Sequence, residues 1–417
     1  MEAHEPLKQD GRPVKDLFPY GTVREGQRQF LDDARSCIAN RVNLLAHAPT
    51  GLGKTAVALT AALETTLSID GTVFFLTARH SQHEAAVETA RQIWRSRRFG
   101  LVDIISREAS CLCRSKEGRM PCLESGDCYF LDQGRIAEAA QRLLDYPLHV
   151  GEAQRLCVRL GACPYLAAMN ALPLADVVVC DLNQVFDRDA LSFIDRCGTE
   201  VEGICLVVDE AHNLPGRISE NRSVSISRAA VSSAMKATGH RNFKSALHAL
   251  LGYIDSCVFD EVRPLPSSGL DVCLMESVGM DAATLADEME TYYQGRMRRR
   301  MGDIVSFLGG WNAYGDAGLR FADPSEGVLH SKFMEPELVV TGVLEKVRCA
   351  LLMSGTLHPP ELFADLLGMG SAAVCRRYPS PFPEQNRLIL ALDDVTSRYD
   401  RRGERTYDLM AERVSQV

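Results

Sequence analysis

VNLLAHAPTGLGKTAVAL, residues 42–59, is the stretch whose reading decides the fold. Its apolar start, Val42 to Ala46, has the length of a buried strand; a glycine-bearing loop follows, and a helix opens near Lys54. The loop, APTGLGKT, fits the phosphate-loop pattern except that Ala48 stands at the first glycine position. Backbone N–H groups of such a loop, with a helix N-terminus behind them, cradle phosphate oxygens. Lys54 then reaches the terminal phosphates and Thr55 holds Mg2+. Ala48, Pro49, Thr50, Gly51, Leu52, Gly53, Lys54 and Thr55 are therefore the candidate nucleotide-binding residues. A plain glycine-rich turn before Lys-Thr is the competing reading, and the strand before it and helix after it argue against that.

Outward from this stretch the alternation continues. Upstream, Phe30, Leu31, Ala34 and Ile38 recur at helical spacing between Gln27 and Ala39. Downstream, TVFFLT (72–77) reads as a strand and 82–94 as a helix, and the β-branched runs DVVVC (176–180) and ICLVVD (204–209) read as two more strands. The pattern resumes at 350–353 and again at 388–392. Strands alternating with helices imply an α/β fold, a parallel sheet with helices on both faces. Two stretches interrupt it. Residues 107–165 are rich in cysteine and glycine, and 214–340 carry the helical stripe Phe243, Leu247, Leu250, Leu251 and Ile254, a second helical run at 283–293 and the loop EVRPLPSSGL (261–270).

With 417 residues the chain has room for two or three domains, and 46% hydrophobic with 24% charged residues excludes disordered, collagen-like and coiled-coil classes. No apolar run approaches the length of a membrane span, and the N-terminus MEAHEPLKQD has no apolar signal core, which predicts a cytoplasmic protein. The net charge of -9 argues against a surface tuned overall for nucleic acid, although a local basic groove is enough to grip a strand.

A nucleotide-hydrolysing loop needs a carboxylate at a neighbouring strand end for the metal, and a base to orient water. LVVDEAHN (206–213) supplies both: Asp209 for Mg2+, Glu210 as the general base, and His212 placed to couple the nucleotide to other motifs. An acidic pair after a strand is often only a solvated strand end; the phosphate loop in the same chain is what favours the catalytic reading. Six of the fourteen cysteines, Cys111, Cys113, Cys122, Cys128, Cys157 and Cys163, crowd into one stretch. In a reducing compartment this points to metal or cluster ligation rather than disulfides, and four thiolates suit a tetrahedral zinc or a [4Fe-4S] cluster alike.

APTGLGKT and DEAH with a cysteine-rich insertion between them resemble the iron-sulfur helicases of superfamily 2, the XPD/DinG-like family. FLTAR (75–79), LLMSGTL (351–357), ADVVVCDLNQVFD (175–187) and SPFPEQNRLIL (380–390) resemble further motifs of that family in the same order. YGTVREGQRQF (20–30) resembles its adenine-recognition segment, which assigns Arg24 and Gln27 to the nucleotide. The resemblance implies a RecA-like first motor lobe at 1–106, 166–213 and 341–378, an iron-sulfur domain at 107–165, a mostly helical arch at 214–340, and the start of a second lobe at 379–417. It also implies a [4Fe-4S] cluster on Cys113, Cys122, Cys128 and Cys163, with Cys111 and Cys157 as extras; Cys157 sits in a helical pattern where a small buried thiol is the commoner explanation. ATP, Mg2+ and single-stranded or forked DNA are the implied ligands.

Two basic stretches are candidate strand contacts: Arg91, Arg95, Arg97 and Arg98 around Trp94, and RMRRRM (296–301), each of which reads equally as a solvated face. No second-lobe motif with the expected glycine-arginine pattern follows 351–357, so the 417-residue chain alone is expected to bind nucleotide without unwinding, a second lobe or protein partner being required. The expected function is an ATP-dependent DNA helicase, 5' to 3' by resemblance, acting in repair or on aberrant structures. The alternative from another class is a non-motor nucleotide- and metal-binding module that binds DNA or a partner.

Overall fold

The computed structural model describes residues 17–114, 120, 122, 128–186, 190–200, 203–257, 262–293, 299–323, 327–386 and 390–416. The chain divides into two compact units, Met1–Pro379 and Ser380–Val417. The larger is built on a sheet of seven parallel strands: β1 (Leu44–His47), β2 (Thr72–Thr77), β3 (Leu101–Ile104), β4 (Val177–Asp181), β5 (Ile204–Asp209), β9 (Cys349–Ser354) and β10 (Val374–Arg377), in the order β10-β1-β9-β5-β2-β4-β3. A separate antiparallel sheet takes β6 (Val224–Ser227), β7 (Gly318–Asp323) and β8 (Val328–Phe333), ordered β6-β8-β7.

The parallel strands are apolar on both faces because both are covered. In β2, Phe74 and Leu76 enter one apolar layer, and Val73 and Phe75 the other. Helices Glu25–Ala39, Lys54–Thr66 and His80–Trp94 cover the second layer. Helices Gln133–Leu144, Pro164–Ala171 and Glu337–Leu344 contribute to the first. At about 1.5–3 kcal/mol for each large apolar side chain removed from water, these two layers are the main driving force of the unit.

The sheet and its phosphate-loop helix follow the sequence reading closely. The unforeseen strands β3 and β10 are the two edges of the sheet. Each has four residues; β3 carries Asp103 and β10 ends in Arg376 and Arg377, so neither shows a continuous apolar run. Of the strand expected at 388–392 only residues 390–392 are described, and they are exposed and outside any strand. The smaller unit has instead a helix, Glu404–Ser415, and an ion pair from Arg413 to Asp394 at 2.6 Å.

The region expected to be a helical insertion has its own core, gathered around Phe243, Leu250, Phe307 and Trp311. It is mostly helical, but it also contains the antiparallel sheet, which the helical stripes do not announce. In β8 the buried positions are Leu329, Ser331 and Phe333, and the hydroxyl of Ser331 donates to the carbonyl of Trp311 at 3.0 Å. A polar residue at an inward position hides the strand alternation from a reading by hydropathy. The helix Gly269–Val278 begins inside the stretch read as loop.

At the start of β2 the sheet leaves no room for a side chain: a Cβ on Gly71 would lie 2.2 Å from the carbonyl oxygen of Gly203. Gly71→Ala is therefore expected to force β2 and β5 apart and to cost about 1–3 kcal/mol, read as a lowered urea midpoint. An unchanged midpoint would show that the strand starts separate freely.

Candidate nucleotide-binding site

Parallel register brings the strand ends to one edge. His47 of β1 lies across from Ser354 of β9, and Asp209 of β5 across from Met353 of β9. The segments after β1, β9 and β5 therefore leave the sheet side by side.

The phosphate loop turns through Gly51 and Gly53, whose φ values of 86° and 83° lie in the left-handed region that glycine adopts without penalty. Gly53 is the N-cap of the Lys54–Thr66 helix, so Lys54 and Thr55 occupy its first turn. Ala48 has no positive φ among the described backbone, which is why alanine is tolerated where the pattern has glycine. Its N–H donates to the carbonyl of Ser354 at 3.0 Å, tying the loop to β9. Gln27 is buried and spans two segments: its Nε2 donates to the carbonyl of Leu52 at 2.9 Å, and its Oε1 accepts from the N–H of Arg24 at 3.0 Å. A Cβ on Gly53 would come within 2.6 Å of that Nε2, so the glycine is also needed for the contact.

Asp209 and Glu210 end β5 beside this loop. Burial, then the neighbouring Glu210 carboxylate, raise the Asp209 pKa to about 6, against the lowering influence of Lys54 and His212. Glu210 adopts φ 50° and ψ 43°, a left-handed conformation uncommon outside glycine and asparagine. This turn swings its carboxylate toward β9, where the Ser354 hydroxyl donates to Oε2 at 2.9 Å. The same hydroxyl oxygen accepts from the N–H of Thr356 at 3.1 Å and lies 2.7 Å from Nδ1 of His212. With its one hydrogen given to Glu210, Ser354 is an acceptor for His212, which places the proton on Nδ1. Ser354 and Thr356 lie within LLMSGTL, where a serine just before a glycine at a strand end is the sequence signal for them.

Of the six clustered cysteines, Cys113 and Cys128 are in contact, and Cys111, Cys122 and Cys163 lie within electrostatic reach of one or both of them. Cys113 Sγ is 3.6 Å from Cys128 Sγ, and burial together with Cys128, Cys111 and Cys122 raises the Cys113 pKa to about 11. Burial and the neighbouring Cys128 and Cys111 also push the Cys163 thiol up. An Arg107 Nη2 donates to Cys122 Sγ at 3.4 Å. Cys111, read as an extra, influences both the Cys113 and the Cys163 thiols, whereas Cys157, pushed up by burial and then by Cys163, is fully buried in the apolar layer. As the side chains stand, no group of three or more His, Cys, Asp or Glu among the described residues forms a metal-ion cage.

The arginines around Trp94 lie at the far end of the helix from these strand ends. Arg91 pairs with Glu152 and donates from Nε to the carbonyl of Pro147 at 2.9 Å; Trp94 meets Tyr146 edge-on, and Arg98 stacks 3.3 Å over the indole. Arg91 and Trp94 are thus engaged within the protein, while Arg95 and Arg98 remain exposed. In RMRRRM, residues 296–298 lie outside the described residues.

The raised Asp209 carboxyl sets a pH dependence. A cation held by Asp209 needs it ionised, so Mg2+-dependent nucleotide affinity is expected to fall as pH drops through about 6, measured by titration at pH 5.5 and 7.5. Because folding raises this pKa above its unfolded value, the ionised group is destabilising at neutral pH. Asp209→Asn should therefore melt higher than the native chain at pH 7.5 while losing the metal dependence.

Residues 76–231 match the DEAD_2 family. A probable ATP-dependent helicase of Methanocaldococcus jannaschii is 27% identical over 228 residues, covering 51% of this chain and 32% of that protein. The ATP-dependent DNA helicase CHL1 of Meyerozyma guilliermondii is 24% identical over 286 residues, covering 56% of this chain and 34% of that protein. The chain spans about a third of the length of these curated relatives. Among solved structures, an XPD helicase superposes with a TM-score of 0.65 at 20% identity, over 95% of this chain and 70% of that one. A truncated XPD gives 0.57 at 21% identity, over 83% and 98%. The solved structures show a shared fold, and the match to the DEAD_2 family spans the acidic strand end at Asp209 to His212; in sequence and fold the chain is similar to these helicases.

Proposed function

We propose that this chain carries the first motor lobe of an ATP-dependent DNA helicase that moves 5' to 3' on single-stranded or forked DNA, in repair or in clearing aberrant structures. The observation that carries the reading is the meeting of three segments at one sheet edge: the phosphate loop, the Asp209–Glu210 turn and Ser354. Lys54 and the loop N–H groups hold the phosphates, and Thr55 and Asp209 hold Mg2+, which when bound neutralises phosphate charge. Glu210 orients the attacking water, and the Ser354 hydroxyl keeps its carboxylate aimed. Gln27 and Arg24 read the adenine, and the bond from Gln27 to Leu52 reports its presence to the loop.

The converging thiols support a [4Fe-4S] cluster on Cys113, Cys122, Cys128 and Cys163. Burial and neighbouring thiols oppose the thiolate at Cys113 and Cys163, and bound iron would supply the positive charge that relieves both. Metal analysis with visible absorbance of an anaerobic preparation separates iron from zinc. Ser variants at these four positions should each lose the cluster, and Cys157→Ser should keep it; bleaching by Cys157→Ser alone would refute the ligand set.

The decisive experiment compares nucleotide binding with turnover. Lys54→Ala should weaken ATP binding by about tenfold or more without changing the far-UV circular dichroism, since Lys54 opens its helix half-buried and outside the core. Glu210→Gln should bind ATP yet lower DNA-stimulated hydrolysis in the full-length helicase by about a hundredfold or more. The 417-residue chain alone should bind ATP and single-stranded DNA, with ATPase lower by on the order of a thousandfold than when a second lobe supplies its arginine. Equal ATP affinity in Lys54→Ala would remove the site, and ATP binding without any DNA-stimulated turnover in the full-length protein would favour a non-motor module.

A further inference from the structure

A buried charge cluster at the ends of β3 and β4 takes no part in the nucleotide site. His83, on the first turn of the His80–Trp94 helix, is 0% exposed, as is the side chain of Asp103. Its Nδ1 lies 2.6 Å from Oδ1 of Asp103, and its Nε2 lies 3.4 Å from Oδ1 of Asp181. Asp181 also meets the half-exposed His80, whose Nε2 is 3.0 Å from Oδ2. The other oxygen of Asp103 accepts the N–H of Val150 at 2.8 Å and faces His149 Nε2 at 3.9 Å. Val150 is the first residue of the Val150–Leu160 helix, which leads toward Cys163. Two turns further along the His80–Trp94 helix, Arg91 joins Glu152 of that same segment.

The charges decide what state His83 occupies. A neutral imidazole donates from one nitrogen and accepts at the other. If Nδ1–H goes to Asp103, a neutral ring would turn the lone pair of Nε2 toward the Asp181 carboxylate, with water excluded from the ring. A second proton makes the Asp103 contact a charge-assisted hydrogen bond and turns the Asp181 contact into an ion pair, with one cation between the buried Asp103 and the partly exposed Asp181.

We propose that His83 is a protonated positioning residue that locks the FLTAR turn and its helix to the cysteine-rich segment, so that these parts move as one body. The two carboxylates come from the sheet, the imidazolium from the helix after FLTAR, and the captured N–H from the helix before Cys163. The lock is independent of the nucleotide and DNA chemistry argued above. Burial opposes a charge on His83, but the hydrogen bond to Asp103 and the carboxylate of Asp181 facing Nε2 outweigh it and raise the pKa to about 9. The titratable groups around it are His80 from its own helix, Asp103 from β3, Cys180 and Asp181 from β4, and His149 and Glu152 from the cysteine-rich segment. Burial, then Asp181, push the Cys180 thiol well up, so it stays neutral. Since folding raises the His83 pKa above its unfolded value of about 6.5, the lock contributes fully below that pH and is lost as pH rises through about 9.

The test uses the 417-residue chain with labelled histidines, the His83 ring resonance being identified by its loss in His83→Gln. Its NMR titration should have a midpoint near 9, moving toward neutrality in Asp103→Asn. Amide-exchange protection of the Val150–Leu160 helix, corrected for intrinsic rates, should fall by about tenfold or more between pH 7.5 and 9.5 while β5 holds. Asp103→Asn should show that loss already at pH 7.5. Asp181→Asn, at a partly exposed position, should also lower the midpoint and covers the case in which Asp103→Asn fails to fold. A native midpoint at or below about 6.5, or unchanged helix protection in the folded variants, would overturn the proposal.

Discussion

Everything at the nucleotide site depends on seven strands running the same way. Parallel strands end on a common edge, and each connection must cross back over a face before the next strand begins. The register then decides which side chains meet. With β9 seated between β1 and β5, Ser354 stands across from His47, one residue beyond the partner of Asp209. The serine hydroxyl can therefore hold Glu210 and His212 while its carbonyl takes the N–H of Ala48. One strand end thus links the phosphate-loop segment to the Glu210 carboxylate, although Ser354 and Glu210 are 144 positions apart in the chain.

The same constraint explains where the protein keeps its buried charge. Strand interiors are closed on both faces and hold almost no polar side chains, so ionisable groups collect where the strands stop. Asp209, buried beside the Glu210 carboxylate, carries a raised pKa. Asp103 and Asp181 both face the His83 imidazole, whose protonated form sets a positive charge beside them from within the protein. The difference between the two sites is whether the positive partner is built in. Arg320, in the separate core, shows the built-in solution for a cation: it is buried, and its guanidinium donates to the carbonyls of Trp311, Gly318 and Gly315, each at 2.9 Å.

The two segments that interrupt the sheet relate to it differently. Helices on either side of the converging cysteines place Ile136, Ala139, Leu143, Cys157 and Ala167 in an apolar layer of the sheet itself. Removing that segment would expose this layer to water. The residues from Ile226 to Leu329 instead close a core of their own, with Trp311, Phe243 and Phe307 fully buried inside it. The cysteine-rich segment is therefore tied to the end of β3 through Val150 to Asp103, and to the His80–Trp94 helix through Glu152 to Arg91.

What the sequence determined by itself is local. Apolar runs of strand length, two glycines at left-handed turns and a Lys-Thr pair opening a helix are properties of consecutive residues, so the sheet class, the phosphate loop and the acidic strand end were legible at 42–59 and 206–213. The burial of Cys157 was legible for the same reason, as a small thiol on the inner side of a helix. The edge strands β3 and β10 were not, because an edge needs no continuous apolar run, and β8 was hidden by a serine whose inward position is satisfied by a carbonyl twenty residues away. Tertiary structure alone decided that Ser354 meets Glu210, that Gln27 meets Leu52, and that His83 lies between two aspartates. Each of these contacts joins segments brought together by strand order and register, and a hydrogen bond, effective only over about 3 Å, leaves no periodic trace in either of the segments it joins.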